Sequence, residues 1–223
     1  MKRFLRPLTV VLLTLTALLF AFELIKSVIW ACESILKDSS LRRYLLWFLA
    51  GGGFYWLIMC VVWRKYLTLI QTSVHEWLHA FACMLMFRDV QSISSSSSGG
   101  GVMYHSGDSN LFISLSPYTL PILAYGALLV ASLMPGRMAW FYAFAGFFFF
   151  LHMHAFMTQI GGHQTDIRKN GMYTSTVYIT TFLSMNVAIC IYAAGLKLWP
   201  GICHFFTVTW SDLSGIVGSL LSL

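Results

Sequence analysis

Long apolar runs separated by short polar segments recur along the whole chain, and they most restrict what it can fold into. A run of about 20 apolar residues is enough for one helix to cross the hydrocarbon core of a bilayer. Only 10% of the 223 residues are charged, against about 25% in soluble domains. The sequence therefore predicts an all-α polytopic membrane protein with about six transmembrane helices.

The apolar runs place the expected spans. The first covers residues 8–22 behind a basic start, and we expect it to stay uncleaved because no small-x-small cleavage site follows it. The other spans are expected at residues 44–63, 66–87, 111–134, 138–159 and 173–199. The apolar tail at 205–223 is either a seventh span or a helix at the membrane surface.

The run at 66–87 contains His75-Glu76-Trp77-Leu78-His79, an H-E-x-x-H motif. On a helix, His75 and His79 project from one face, where two imidazole nitrogens can bind one Zn²⁺. Glu76 can then accept a proton from water activated by the metal. Ionisable residues are costly in hydrocarbon and indicate a functional site. The alternative is a chance match, with two core histidines satisfied by neighbouring helices.

A zinc hydrolase needs a third protein ligand and an open coordination position. Asp166 is the first choice, because alternating spans place the end of the motif helix and the end of span 138–159 on one membrane face. His163, three residues before Asp166, is a rival ligand or a partner of the ligands. His152 is about 21 Å from Asp166 along a helix, and we expect it to be a satisfied bundle histidine.

The one substantial polar segment, residues 88–110, has five consecutive serines followed by three glycines. This composition is typical of a flexible tether. Short β-prone pieces at 90–93 and 102–104 flank the glycines and favour a small hairpin instead. Both interpretations stay open here.

Glycines and prolines mark two further places in the expected spans. The glycines at 51–53 allow either a close helix approach or a kink. Pro117 and Pro121 free backbone carbonyls, which is tolerable at membrane depth only beside other protein or a wet cavity.

Four features of the chain carry a family resemblance: the H-E-x-x-H motif in a membrane helix, the Gly-Gly-Val-x-Tyr sequence at 100–104, the proline-bearing next span and the later aspartate. In these features the chain resembles the site-2 protease class of intramembrane metalloproteases, which is peptidase family M50, and especially its M50B-like branch. The resemblance implies cleavage of membrane-embedded peptide bonds. It also implies Glu76 as the general base and a Zn²⁺ held by His75, His79 and Asp166. The chain departs from the family at 164–167, where Gln-Thr-Asp-Ile replaces the usual aspartate motif, and at 116–119, where the usual asparagine is missing.

We divide the chain into N-terminal transmembrane helices at 1–65, a metalloprotease core at 66–175, and a C-terminal helix with its apolar tail at 176–223. The expected partners are a membrane protein or peptide substrate and the lipid bilayer. The net charge of +6 comes from scattered basic residues and gives no case for nucleic acid. We expect a multi-pass protein of a bacterial-type plasma membrane.

Two other functions are compatible with the sequence. A catalytically inactive M50-like scaffold would keep the fold, although the intact Glu76 argues against it. A metal transporter would explain His152, His154 and His163, but the two halves show no inverted repeat. The orientation is nearly balanced: alternating spans put seven Lys and Arg residues on the face of the N-terminus and six on the other face. The resemblance places the metal face at the cytosol.

Overall fold

Helices account for nearly all of the computed structural model, which describes residues 2–62, 64–98, 100–134, 138–161 and 164–222. Within these ranges the elements are α1 (Lys2–Lys37), α2 (Ser39–Val61), α3 (Arg64–Leu85), β1 (Val90–Ser95), β2 (Gly101–His105), α4 (Leu111–Thr119), α5 (Ile122–Leu133), α6 (Ala139–Gln159), α7 (Thr165–Asn170), α8 (Met172–Leu196) and α9 (Leu198–Leu221). The predicted all-α membrane fold is confirmed.

Four of the described helices are long and apolar enough to cross a membrane: α1, α2, α6 and α8. The pair α4–α5 makes a fifth, broken span among the described residues, bent by 68° next to Pro121. The chain is therefore an integral membrane protein. The first helix does not stop after residue 22 as its apolar run suggested but continues to Lys37. Asp38 then begins α2, where its carboxylate accepts hydrogen bonds from the backbone N–H groups of Ser40 and Leu41.

Helices α2 and α6 run side by side in the same direction. Tyr44 packs on Tyr142 near their beginnings, with ring centroids 4.9 Å apart. Trp56 packs on His154 near their ends, at 5.0 Å. Because both helices cross the membrane in one direction, the chain between them must cross once in the other direction. The bent pair α4–α5 makes that crossing, so α3 begins and ends on the same side.

The expected span at 66–87 is therefore wrong, although the helix itself exists. Helix α3 packs against the last turns of α6: Gln71 Nε2 is 3.3 Å from His154 Nδ1, and His75 Nδ1 is 2.9 Å from Gln159 Oε1. One side of α3 carries the polar residues Gln71, Thr72, His75, Glu76 and His79, all of them buried. This polar side explains why a helix of spanning length stays within the protein on one side of the bilayer.

Two glycines let α2 and α6 touch through their backbones. A Cβ on Gly51 would lie 1.8 Å from the carbonyl oxygen of Ala143, and one on Gly146 would lie 1.8 Å from that of Phe48. Gly53, on the other side of α2, has nothing within 4 Å of such a Cβ. Since α2 is continuous, the glycines serve close approach and not a kink.

The serine- and glycine-rich segment forms a hairpin. Strands β1 and β2 pair antiparallel, with Ile93 opposite Met103. At the tip, the N–H of Ser96 donates to the carbonyl of Gly100 at 2.8 Å. Of the two interpretations of this segment, the hairpin is confirmed and the flexible tether is wrong. The strands pack on α3 and place β2 beside the H-E-x-x-H motif.

Candidate metal centre

Three side chains converge where α3 meets α7. The Nε2 atoms of His75 and His79 lie 3.6 Å and 3.2 Å from Oδ2 of Asp166. In a tetrahedral site with metal–ligand bonds of about 2.0–2.2 Å, the ligand atoms are about 3.3–3.6 Å apart. Both distances are close to this range, and all three ligand atoms lie within 4.8 Å of one another, so the three residues could hold a divalent metal ion. The structure brings together the set named from the sequence.

Hydrogen bonds orient both histidines. His75 Nδ1 donates to Oε1 of Gln159 at 2.9 Å, and His79 Nδ1 donates to the backbone carbonyl of Ile113 at 2.7 Å. A side-chain amide oxygen or a backbone carbonyl oxygen can only accept a hydrogen bond. The proton of each imidazole is therefore on Nδ1, and each Nε2 presents its lone pair towards Asp166. Metal-binding histidines are commonly held in this way.

A proline creates the acceptor that His79 uses. Pro117 lies inside α4 and has no N–H to donate to the carbonyl four residues earlier, which is that of Ile113. The freed carbonyl accepts from His79, and the hydroxyl of Ser116 is also 3.1 Å from it. The sequence indicated that the prolines free carbonyls inside the protein, but not which group would use one.

Asp166 reaches the histidines through a separate short helix. Helix α6 does not continue past Gln159. The chain turns, and α7 carries Asp166 in its first turn. Ile167 is buried against Leu115 and Tyr118 and anchors α7 to α4. Burial alone would raise the pKa of the Asp166 carboxyl, but when the two imidazoles are also protonated on Nε2, their hydrogen bonds and charge hold that pKa below its usual range. The rival ligand His163 lies outside the described residues.

Glu76 is confined between the metal cluster and the hairpin. Its side chain is buried, and a Cβ on Gly101 would lie 2.4 Å from its Oε1. Burial raises the pKa of Glu76, although the charges of His79 and His75 oppose the shift. This places the carboxylate closer to the range in which a general base works near neutral pH.

The cluster opens into a cavity of about 410 Å³. Its wall includes residues from the hairpin, α4, α6 and α7. Residues that the sequence did not single out contribute to it: His105, Ser109, Ser114, Gln159 and Lys169. Gln159 could have been noticed as a polar residue ending an apolar run, but its partner depends on how α3 packs against α6.

Of the remaining candidates, none joins the metal cluster within the described part of the chain. His152 is buried in the bundle, as expected, but the expectation that it is fully satisfied is wrong: its Nε2 has no hydrogen-bond partner among the described residues. His154 is held by the hydroxyl of Tyr55 at 2.6 Å.

The fold and this cluster define an integral membrane protein with a candidate His-His-Asp metal centre of the H-E-x-x-H type. A family model described as Peptidase M50B-like matches residues 46–163, just over half of the chain. The chain belongs to this family, which the sequence resemblance had predicted. The match includes the motif, the hairpin and the bent span, and it ends three residues before Asp166. Comparisons with curated proteins and with solved structures found no match.

Proposed function

We propose that the protein is an intramembrane zinc metalloprotease that hydrolyses peptide bonds of membrane-embedded substrates. The observation that carries the proposal is the convergence of His75, His79 and Asp166 beside Glu76 in one cavity. Membership of the M50B-like peptidase family supports it. We take the metal to be Zn²⁺, because two imidazoles and a carboxylate with an open position are typical of catalytic zinc.

Each residue then has a defined task. When bound, Zn²⁺ supplies a Lewis acid that polarises the scissile carbonyl and makes water more acidic. Glu76 accepts the proton of the attacking water and returns it to the leaving amine. Gln159 and the Ile113 carbonyl keep the two imidazoles in the tautomer that presents Nε2.

The hairpin supports a way of holding the substrate. A helical substrate must unwind locally before its carbonyl can be attacked, and an exposed strand edge stabilises an extended peptide through main-chain hydrogen bonds. Strand β2 lies beside Glu76, and its residues 101–103 line the cavity. We therefore propose that the substrate pairs with β2 while its scissile bond faces the metal centre.

The helix directions also support an orientation. We call the membrane side where α2 and α6 end the site face. Helix α1 runs parallel to α8, because Thr14 bonds to Tyr173 and Trp30 packs on Tyr192, and both begin at the site face. Eight basic residues then belong to the site face: Lys2, Arg3, Arg6, Arg64, Lys65, Arg88, Arg168 and Lys169. Among the residues that the structure describes, four basic residues belong to the opposite face: Lys37, Arg42, Arg43 and Lys197.

This count differs from the balance expected from strictly alternating spans, because here α3 is not counted as a crossing. With the excess on the site face, the positive-inside rule favours a cytoplasmic metal centre in a bacterial-type plasma membrane. A cysteine introduced at Ser97, at the hairpin tip, should be protected from an impermeant thiol reagent in intact cells. Labelling there, with a cysteine at Ser40 protected, would reverse the orientation.

The experiment that tests the activity compares matched substitutions in purified protein. Glu76→Gln should reduce peptide cleavage by at least about 10²-fold, because the amide cannot accept a proton, while the bound zinc stays at the wild-type level. Asp166→Ala should lose both zinc and cleavage. Glu33→Gln and Asp108→Ala, the same changes at positions away from the cluster, should alter neither.

Wild-type turnover in Glu76→Gln would remove the hydrolase mechanism. Wild-type zinc affinity in Asp166→Ala would remove the ligand assignment. If the wild-type protein binds zinc but cleaves no membrane peptide, the inactive scaffold becomes the better reading, and zinc flux into liposomes would favour the transporter.

A further inference from the structure

A second group of ionisable residues lies far from the metal centre, where α1 meets α9. Lys26 Nζ is 2.5 Å from Oδ2 of Asp212 and 3.4 Å from Oε1 of Glu23. Glu23 is completely buried, and its Oε2 has no hydrogen-bond partner among the described residues. These three residues, called here the α1–α9 cluster, lie outside the part of the chain that the family model matches.

The cluster lies near the middle of the bilayer. Helix α9 runs antiparallel to α8, because Gly201 touches Ala193 near the turn between them and Phe205 packs on Ile189. Counted from the face opposite the site face, Lys26 is about 17 Å from the end of α1 and Asp212 is about 21 Å from the start of α9. The hydrocarbon core is about 30 Å thick. Of the two interpretations of the apolar tail, this depth favours a helix within the membrane over one on its surface.

The charges of the cluster do not balance if all three groups are ionised. One ammonium and two carboxylates leave a net charge of −1 at a depth where water is scarce. A carboxylate oxygen buried there without a donor is especially costly. Two further ionisable groups lie beside the cluster. Tyr192 of α8 is neutral as a phenol, and a positive charge on His204 of α9, whose ring packs on Trp30 and Tyr192, would be opposed by the Lys26 ammonium.

We propose that the α1–α9 cluster is a proton-binding site in which Glu23 and Asp212 share one proton beside the Lys26 ammonium. With the proton bound, the cluster is neutral. Glu23 Oε2 can then donate or accept a hydrogen bond between the two carboxyl groups. Neutrality is what allows α9, which carries Asp212, to pack on α1 at this depth. Raising the pH until the proton leaves restores the net charge and weakens that contact.

Infrared spectroscopy of the purified full-length protein in nanodiscs tests the proposal, because a protonated carboxyl group has its own C=O stretching band. The wild-type protein at neutral pH should show one more such group than Glu23→Gln, and also one more than Asp212→Asn, in which Glu23 ionises to pair with Lys26. Lys26→Met should show one more than the wild type, because two protons are then needed for neutrality. Glu33→Gln, an exposed position on α1, should leave the spectrum unchanged.

Identical wild-type and Glu23→Gln spectra would overturn the proposal. Loss of the band in Glu23→Gln but not in Asp212→Asn would assign the proton to Glu23 alone and overturn the sharing. Thermal unfolding gives a second measurement that does not depend on Lys26→Met folding. The wild-type Tm should fall more steeply with rising pH than that of Glu23→Gln, and equal slopes would contradict the link to α9.

Discussion

The Nδ1 atom of His79 lies 2.7 Å from the backbone carbonyl oxygen of Ile113. This contact joins the second histidine of the motif to the broken span α4–α5. The carbonyl is available only because Pro117, four residues later, has no N–H to offer it. A backbone irregularity that costs α4 a hydrogen bond thus fixes the tautomer of a metal-binding side chain.

Pro117→Ala should weaken zinc binding even though it is expected to strengthen the helix. The new N–H at position 117 would compete with His79 for the Ile113 carbonyl. We expect the zinc affinity, measured by titration against a competing chelator, to fall on the order of 10–100-fold, with an unchanged or higher Tm. Pro121→Ala removes a proline from the same span with no ligand contact and should keep the wild-type affinity. Equal affinities for the two variants would refute the role of Pro117.

The space at Gly101 offers a sharp test of the position of Glu76. In Gly101→Ala the new Cβ would lie 2.4 Å from Glu76 Oε1, so the carboxylate or the strand must move. A displacement near 1 Å can lower a rate about 10²-fold, and we expect a fall in kcat of this order with zinc binding unchanged. Gly100→Ala has nothing within 4 Å of its Cβ and is the matched control. Full activity in Gly101→Ala would show that Glu76 is not held where the structure has it.

The contact between α2 and α6 should govern stability. Gly51→Val would drive a side chain into the Ala143 carbonyl, and overpacking of this kind costs about 1–3 kcal/mol or more. We expect a lower Tm and a smaller folded yield in detergent. Gly53→Val makes the same change on the open side of the helix and should behave like the wild type. A similar loss in both variants would mean that valine itself, and not the helix contact, is responsible.

Local sequence carries the information for much of this structure. Apolar run length and spacing were enough to predict the helices, and the four-residue spacing of His75 and His79 was enough to pair them. The hairpin could be proposed because β-prone pieces flank a glycine turn. Each of these features depends on residues close together in the chain.

The features that were missed depend on contacts between distant segments. Whether α3 crosses the membrane is decided by the parallel packing of α2 and α6, for which no local pattern exists. The extension of α1 through Glu23 becomes understandable only once Lys26 and Asp212 of α9 lie beside it. The partner of His79 likewise required knowing that Ile113 faces α3.

Helix α6 and the hairpin tip tolerate very different amounts of change in chain length. Gly146 fixes its position against α2, and Gln159, thirteen residues later, holds His75. One inserted residue between them would rotate Gln159 by about 100° and move it by about 1.5 Å along the axis, so the bond to His75 would be lost. At the hairpin tip, between Ser96 and Gly100, an insertion only lengthens a loop, at a small entropic cost. Length variants of this protein should therefore be found at the tip and not within that part of α6.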